Sequence, residues 1–450
     1  MPVPDAWAAQ DQAVVGQARP AEWRQFFRAP ALTALIEAAL GNNRDLRIAV
    51  WRVEVARSQY RSQRADRFPH VNVGATALRT QIPASLSVTG ETYTANLYGG
   101  IIGASWDIDL WGRVRNLDAA ALDNWMATQE GRRSITLCLI AEVANNWLTA
   151  RELDERIALA DRTVTSRRDS ARIARRRFEV GAAPRIDQTQ ADTLLGEAES
   201  ASIALEQQRE ATRNALAALV GQPLQTESGA LSAVQDTAIV RDLQPGLPSS
   251  LLVQRPDIRA AEDRLRAAEA NIGAARAAFF PRISLLGDYG TASTALENLF
   301  MGSGTAWIFA TSAMAPIFDG GRLRGNLDGA KAERAIAVAD YERAVQTAFR
   351  DVSNVLAARR WLGLQVAAET RTLEALTDRA RLASLRYANG ATTYLEVLNA
   401  QRDLFAAEQA LVETRRTRLS SEVNLFAALG GGADDPSAAI AINETERSAR

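Results

Sequence analysis

The side chains that most often carry covalent or metal chemistry are nearly absent from this chain. Its 450 residues include one histidine, His70, and one cysteine, Cys138. Neither a Ser/His/Asp or Cys/His catalytic set nor a histidine or cysteine metal cluster can be built from one residue of each type. We therefore predict no enzyme activity, no cofactor and no metal site, and expect any function to depend on charged and polar side chains.

Two pairs of polar residues have spacings that place each pair on one face of an element. Asp107 and Asp109 alternate with apolar residues, as on a β-strand. Glu396 and Asn399 are three residues apart in a helical pattern, so both project from one side of a helix. Acidic rings around a pore select cations, whereas the simpler interpretation is a set of solvated surface residues. Which of these two interpretations applies depends on the helices and strands that carry the polar residues.

Composition excludes several other classes of protein. The formal net charge of −1 gives no general attraction to nucleic acid, so we expect no nucleic-acid partner. No run of eighteen or more apolar residues occurs, so no transmembrane helix is predicted. The N-terminus, Met1-Pro2-Val3-Pro4, lacks the basic and apolar regions of a signal peptide. On this basis the protein is either cytosolic or has lost a processed segment.

The chain contains the same arrangement twice. Three strings of the first half recur in order in the second half, about 210 residues later: Phe68-Pro69, Gly112-Arg113 and Arg177 to Gly181 return as Phe280-Pro281, Gly321-Arg322 and Arg386 to Gly390. Each copy is predicted to run helix, strand, loop, strand, very long helix, tight turn, long helix. The protein is therefore predicted to be internally duplicated.

Two proline-free stretches, 112–179 and 321–388, predict very long helices. Each would hold roughly 67 residues and extend for about 100 Å. A heptad pattern in the second stretch places valine, leucine and alanine on one seam, interrupted by Arg359 and Glu369. Periodicity alone favours a coiled coil, and a soluble periplasmic or cytosolic coiled-coil scaffold is the alternative function.

Four segments of about ten residues alternate apolar and polar side chains, which is typical of transmembrane β-barrel strands: 70–79, 99–111, 282–290 and 305–317. Four strands cannot close a barrel, and open edges in lipid leave backbone groups unpaired, so copies must assemble. Two copies would give a filled eight-strand barrel, and three would give twelve strands around an open lumen. Asp107 and Asp109 would meet water in the wider barrel, so a trimer is preferred.

The predicted organisation has five parts, with tight turns at Gly181 and Gly390 forming the tips of the two long hairpins. The parts are an extended N-terminal segment 1–30, a first repeat 31–220, a linker and equatorial region 221–250, a second repeat 251–429, and an equatorial or mobile tail 430–450. Near the first tip, Arg172, Arg175, Arg176 and Arg177 are interpreted as a solvated helix face.

Several strings resemble the outer-membrane efflux proteins, which are TolC-like channels, and specifically their OprM-like lipoprotein branch in resistance-nodulation-division systems. The strings are Leu247 to Leu252 with Arg255-Pro256-Asp257-Ile258, then Ser105 to Arg113, then Tyr394 to Arg402. The resemblance extends from about Trp23 to Leu429. It implies a mainly α fold with a small β part, in which a homotrimeric twelve-helix α-barrel continues into a twelve-strand transmembrane β-barrel, four strands per chain.

The resemblance also implies a function and its partners. Such a protein is the outer-membrane channel of a tripartite pump, a passive exit duct for drugs or other small molecules that extends into the periplasm. Its partners are two further copies of itself, a periplasmic adaptor, an inner-membrane transporter and outer-membrane lipid. The lipoprotein branch carries an acylated N-terminal Cys, which this sequence lacks, so acylation is expected to be lost or trimmed from view.

Particular residues correspond to the family's gate. Glu396 and Asn399 fall where the family places gate carboxylates, and Arg402 falls where it places a basic partner. Asp187 and Tyr387 correspond to a latch pair that joins the inner and outer hairpins. Asn399 departs from the usual Asp and cannot carry charge. Asp107 and Asp109 are expected in the lumen of the β-barrel.

Overall fold

The fold is taken from a computed structural model that describes residues 22–88, 90–224, 239, 243, 249 and 251–431. Most of the predicted 1–30 segment, most of the 221–250 linker and nearly all of the 430–450 tail lie outside these residues. The same holds for most of the string from Leu247 to Ser250 that contributed to the family resemblance.

In the described residues, the elements follow the duplicated order. The helices are α1 (Trp23–Phe26), α2 (Pro30–Asn42), α3 (Arg44–Ala65), α4 (Arg113–Glu179), α5 (Arg185–Val220), α6 (Leu251–Gln254), α7 (Pro256–Ala277), α8 (Arg322–Ala388) and α9 (Tyr394–Ala428). The strands are β1 (His70–Ile82), β2 (Tyr93–Ile108), β3 (Arg282–Ser293) and β4 (Thr305–Met314). Each copy places two strands ahead of a 67-residue helix, α4 or α8.

Strand ends differ from the predicted ones, and neighbouring residues explain most of the differences. β2 stops at Ile108 because Asp109 instead accepts hydrogen bonds from backbone N–H groups of α4. β4 stops at Met314, shortly before Pro316, which has no N–H to donate to a strand ladder. β1 runs on to Ile82, directly before Pro83, so the predicted loop after it is shorter.

The four strands form one antiparallel sheet in the order β1-β2-β3-β4. The register aligns Val73, Ile102, Tyr289 and Trp307 in one row across it. Because side chains alternate along a strand, this row belongs to one apolar face of the whole sheet. Other members of this face are Val71, Trp106, Ile108, Leu285 and Phe309. Val73 and Trp307 are 78% and 75% exposed, so the chain itself does not cover this apolar face.

The opposite face of the sheet is more polar. It carries Asn72, Thr76, Ser105, Asp107, Asp288 and Ser284. It also includes several glycines and a few aliphatic side chains. The sheet therefore has one face suited to an apolar surrounding and one suited to water.

The described chain forms two compact units, and each draws on both repeats. The first unit comprises the described residues within 1–50, 130–259 and 343–450, and the second comprises those within 51–129 and 260–342. The predicted repeats are thus not the compact units. The pairing of β2 with β3 is one physical reason, because it joins the first repeat to the second within one sheet.

Aromatic side chains from both ends of the chain form the core of the first unit. Phe26 stacks on Phe426 with ring centroids 4.6 Å apart, and Phe27 meets Phe26 edge-on at 4.8 Å. Trp23 is also buried there. This packing explains why residues 23–26 form a short helix and α2 begins at Pro30, where an extended segment to residue 30 was predicted.

The heptad seam of α8 is buried in two stretches. Val345, Ala348 and Val352 are buried near its middle, and Ala380 and Ala383 are buried near its end. Between them Arg359 interrupts the seam, because its guanidinium pairs with the buried Glu422 at 3.0 Å. None of the helices in the described residues has an apolar stretch long enough to cross a bilayer.

Candidate gate at the helical tips

Glycine forms the turn of each long hairpin. Gly181 has φ 73° and Gly390 has φ 71°, a conformation that other residues rarely adopt. In each turn the glycine N–H donates to the carbonyl three residues back, at Phe178 or Tyr387. The N–H of the next residue donates to the carbonyl five residues back, at 2.8 Å in both hairpins. This is the Schellman arrangement, which ends α4 and α8 at equivalent points.

An acidic residue stands at the third position of each returning helix. Asp187 lies in the first turn of α5, and Glu396 lies in the first turn of α9. The two positions correspond in the repeat, since 396 minus 187 gives the shift of 209 found at the tip glycines, 390 minus 181. Negative charge at a helix N-terminus interacts favourably with the helix dipole. Each carboxylate thus has a local structural role besides any role in a gate.

The charge of Glu396 is balanced within its own hairpin. Thr392 donates its hydroxyl to Oε2 of Glu396 at 2.5 Å, and Arg386 lies 3.7 Å from Oε1. Asn399, one turn further along α9, is half-buried. The predicted acidic ring therefore contains a carboxylate that already faces an arginine and an amide that carries no charge.

Tyr387 contacts an arginine of the other hairpin. Nη1 of Arg177 donates to the Tyr387 hydroxyl at 2.5 Å, and the Arg177 guanidinium lies 5.4 Å from the ring centre. Asp187, the predicted latch partner, lines a cavity of about 130 Å³ together with Tyr387 and Arg177. Arg177, interpreted from sequence as part of a solvated face, thus connects α4 to α8 here.

Arg402 pairs with the first hairpin. Its Nε lies 3.6 Å from Oε2 of Glu197 on α5, and both side chains are about half exposed, at 52% and 51%. A neighbouring pair, Arg379 with Asp403 at 2.7 Å, connects α8 to α9. The gate position predicted as basic is therefore a second polar connection between the two hairpins of one chain.

Tyr394 begins one of the strings that carry the family resemblance, but the sequence analysis gave it no role in a site. Its ring lies 5.1 Å from that of Tyr387, and it packs against a cluster of Ala171, Ala174 and Ala191. Burial raises the pKa of the Tyr394 hydroxyl, which is hydrogen-bonded to Ser170. A tyrosine at the first position of a helix after a tip glycine is the signal that could have identified it.

Asp107 and Asp109 have partners within the second unit. Asp107 accepts hydrogen bonds from Nε of Arg282 at 2.8 Å and from Ser284 at 2.6 Å. Asp109 lies beyond the end of β2 and accepts from the N–H groups of Val114 at 3.0 Å and Arg115 at 2.8 Å. Asp109 thus has a role in capping α4, because a carboxylate satisfies the free N–H groups of a first helical turn. Its predicted place in the lumen stays a prediction.

Asp319 has the equivalent capping role in the second repeat and was missed from sequence. It accepts from the backbone N–H groups of Leu323 at 2.8 Å and Gly321 at 3.0 Å. These hydrogen bonds, with that from Leu323 first, lower the pKa of Asp319. Among the described residues, no group of three His, Cys, Asp or Glu side chains could hold a metal ion.

The duplicated strand pairs, the long hairpins and the tip contacts define a class of protein. The profile of the outer membrane efflux protein family matches residues 35–222 and 247–431, so the chain belongs to this family. It is an efflux-pump channel protein of the outer membrane and not an enzyme.

Relatives and solved structures cover nearly the whole chain. It is 40% identical over 432 residues to the solvent efflux pump outer membrane protein SrpC of Pseudomonas putida, covering 96% of this chain and 92% of SrpC. It is 40% identical over 438 residues to the outer membrane protein OprJ of Pseudomonas aeruginosa, covering 96% of this chain and 91% of OprJ. The open state of the Neisseria gonorrhoeae MtrE outer membrane channel superposes with TM-score 0.87 at 36% identity, covering 96% of each chain.

Proposed function

We propose that three copies of this chain form one duct through the outer membrane, with twelve strands in the lipid and twelve helices in the periplasm. The observation that carries this proposal is the four-stranded sheet. Its apolar face is exposed, and within the described residues its edge strands, β1 and β4, each have one neighbour. In lipid each unpaired backbone group costs several kcal/mol, so the edges require partner strands. Neighbouring copies can supply these strands.

The number of copies follows from the second face of the sheet. An eight-strand barrel has an interior filled by side chains, whereas twelve strands leave a lumen. The second face presents Asn72, Ser105 and Asp288, polar groups that need water rather than a packed interior. A trimer gives that face an aqueous lumen, and the apolar face then meets lipid.

The tips are the proposed gate. A duct that is open at the membrane needs a closure at its other end, and the hairpin turns at Gly181 and Gly390 lie at the end of each long helix away from the strands along the chain. Tyr387 with Arg177 and Arg402 with Glu197 connect the two hairpins, while Glu396 and Asn399 stand on the first two turns of α9. Opening requires the hairpins to separate, and these contacts oppose that separation.

The proposed partners follow from this arrangement. A passive duct has no energy source of its own, so an inner-membrane transporter supplies the work and a periplasmic adaptor joins it to the tips. The substrates are drugs or other small molecules.

Light scattering in detergent and planar-bilayer recording test the proposal together. We expect a particle of three chains that conducts ions in small steps. In the variant Arg402→Ser with Tyr387→Phe, we expect larger conductance, because both connections between the hairpins are removed. A monomer in detergent, or trimers that never conduct, would refute the duct. If trimers have the same conductance with and without the two substitutions, the proposed gate is refuted but the proposed duct is not.

A further inference from the structure

A cavity of about 360 Å³ lies against the more polar face of the sheet. Most of its wall is apolar, although that face elsewhere carries amide, hydroxyl and carboxylate groups. Leu97, Ile101 and Ile308 supply the apolar surface, and Thr76 and Asp288 are the polar members on the same face. The volume falls within the roughly 300–1,000 Å³ range of small-molecule sites.

The backbone produces this depression, because glycines form part of its floor. A Cβ on Gly290 would lie 2.4 Å from the carbonyl oxygen of Gly100, so no side chain can occupy that position without a shift of the strands. Gly99 differs, since its Cβ would have only the carbonyl oxygen of Thr291 nearby, at 3.7 Å. The cavity thus includes one position that must stay empty and one that can be filled experimentally.

Asp288 supplies the only carboxylate of the cavity wall in the described residues. Its Oδ1 lies 2.6 Å from where a Cβ of Gly103 would be, so its side chain lies flat along the sheet above that glycine. On the same face Asp107 is paired with Arg282, whereas no arginine or lysine of the described chain pairs with Asp288. An unpaired carboxylate therefore stands beside an apolar surface.

We propose that this cavity is a transit site for amphiphilic cations, meaning molecules with an apolar ring body and one positive charge. The apolar wall takes the rings out of water and the Asp288 carboxylate attracts the charge, so the two parts of the site match the two parts of the solute. A neutral ring system gains only the first interaction, and an anion is repelled. The inference rests on the proposed duct, because only there does this face meet passing solutes.

Two probe ions of equal size and opposite charge provide the test. Binding of tetraphenylphosphonium and of tetraphenylborate to the whole protein, held in amphipol, is measured by equilibrium dialysis. Asp288→Asn should raise the Kd for tetraphenylphosphonium about fivefold, which is the upper end of the range for a partly exposed charge pair. It should not weaken the binding of tetraphenylborate. Glu297→Gln is the matched control, because Glu297 is an exposed acid of the same unit that does not line the cavity.

A second variant tests the cavity without changing charge. Gly99→Leu should fill the depression and weaken the binding of both probes. Circular dichroism checks that each variant keeps its fold. The site is refuted if Asp288→Asn matches Glu297→Gln for tetraphenylphosphonium, or if Gly99→Leu leaves binding unchanged. If Asp288→Asn fails to fold, the binding of both probes to Gly99→Leu decides whether the cavity is a binding site. Bilayer conductance of the same preparations separates the two proposals, since absent conductance refutes the duct, whereas normal conductance without Asp288-dependent binding refutes only the transit site.

Discussion

Removing a single hydroxyl at the hairpin tips, by Tyr387→Phe, should shift the channel towards its open state. In the structure Arg177 holds Tyr387 in two ways, through the 2.5 Å hydrogen bond and through its position over the ring at 5.4 Å. The substitution removes the hydrogen bond and leaves the ring. Its effect therefore measures one contact between the hairpins rather than the loss of a side chain.

The size of the effect follows from exposure. A hydrogen bond between exposed partners, one of them charged, contributes about 0.5–1 kcal/mol. If three chains open together, the three contacts sum to about 1.5–3 kcal/mol. That corresponds to a rise of roughly 10- to 150-fold in the ratio of open to closed channels. Single-channel recording in planar bilayers measures this ratio directly.

Tyr341→Phe is the matched control, because it makes the same chemical change on the same helix away from the tip. Arg177→Ala removes both contacts and should open the channel at least as much. The double variant should add little to Arg177→Ala, since both substitutions remove one shared interaction. Additive effects, or an equal response in Tyr341→Phe, would show that the contact does not hold the gate.

Three further predictions concern stability, each followed by thermal unfolding in detergent with circular dichroism. Phe426→Ala should cost about 3–5 kcal/mol, because it empties the aromatic core around the first helix; a loss below about 1 kcal/mol would contradict the packing. Gly290→Ala should cost about 2 kcal/mol or more through its clash with a carbonyl, whereas Gly99→Ala should be nearly neutral; equal effects would argue against the sheet register. Burial raises the pKa of Glu408, and the nearby charge of Arg162 only partly opposes this. Folding therefore favours the protonated carboxyl. The contribution of protonated Glu408 to the free energy of unfolding is fully present below about pH 4 and is lost as the pH rises through the raised pKa. Glu408→Gln should thus raise the Tm at about pH 7 and have little effect at about pH 4, and the reverse order would contradict the assignment.

The long helices could be predicted from sequence because their signals are local. Proline is absent from both stretches, and Gly181 and Gly390 end the helices within two residues of the observed ends. The duplication was also readable from sequence, since it needs only recurring strings. Strand ends were less accurate, because Asp109 and Pro316 decide them through hydrogen bonding that the alternation of apolar residues does not contain.

Side-chain partners across the hairpins could not be predicted. Arg177 and Tyr387 are 210 residues apart, and one of four neighbouring arginines makes the contact while the others pair with acids nearby in sequence or on α5. Sequence spacing shows that these arginines share the end of a helix. It does not show which of them faces the second hairpin, since that depends on how the two hairpins pack.

The charges singled out from sequence are largely balanced once the chain is folded. Glu396 faces Arg386, Arg402 faces Glu197, and Asp107 is bound by Arg282. A paired carboxylate selects cations weakly, because its partner already compensates its field. Asp288 in the sheet keeps an unpaired charge among the described residues. In the proposed trimer we therefore expect the tips to act mainly by holding the hairpins together, and we expect charge selection to be set by the strands of the sheet.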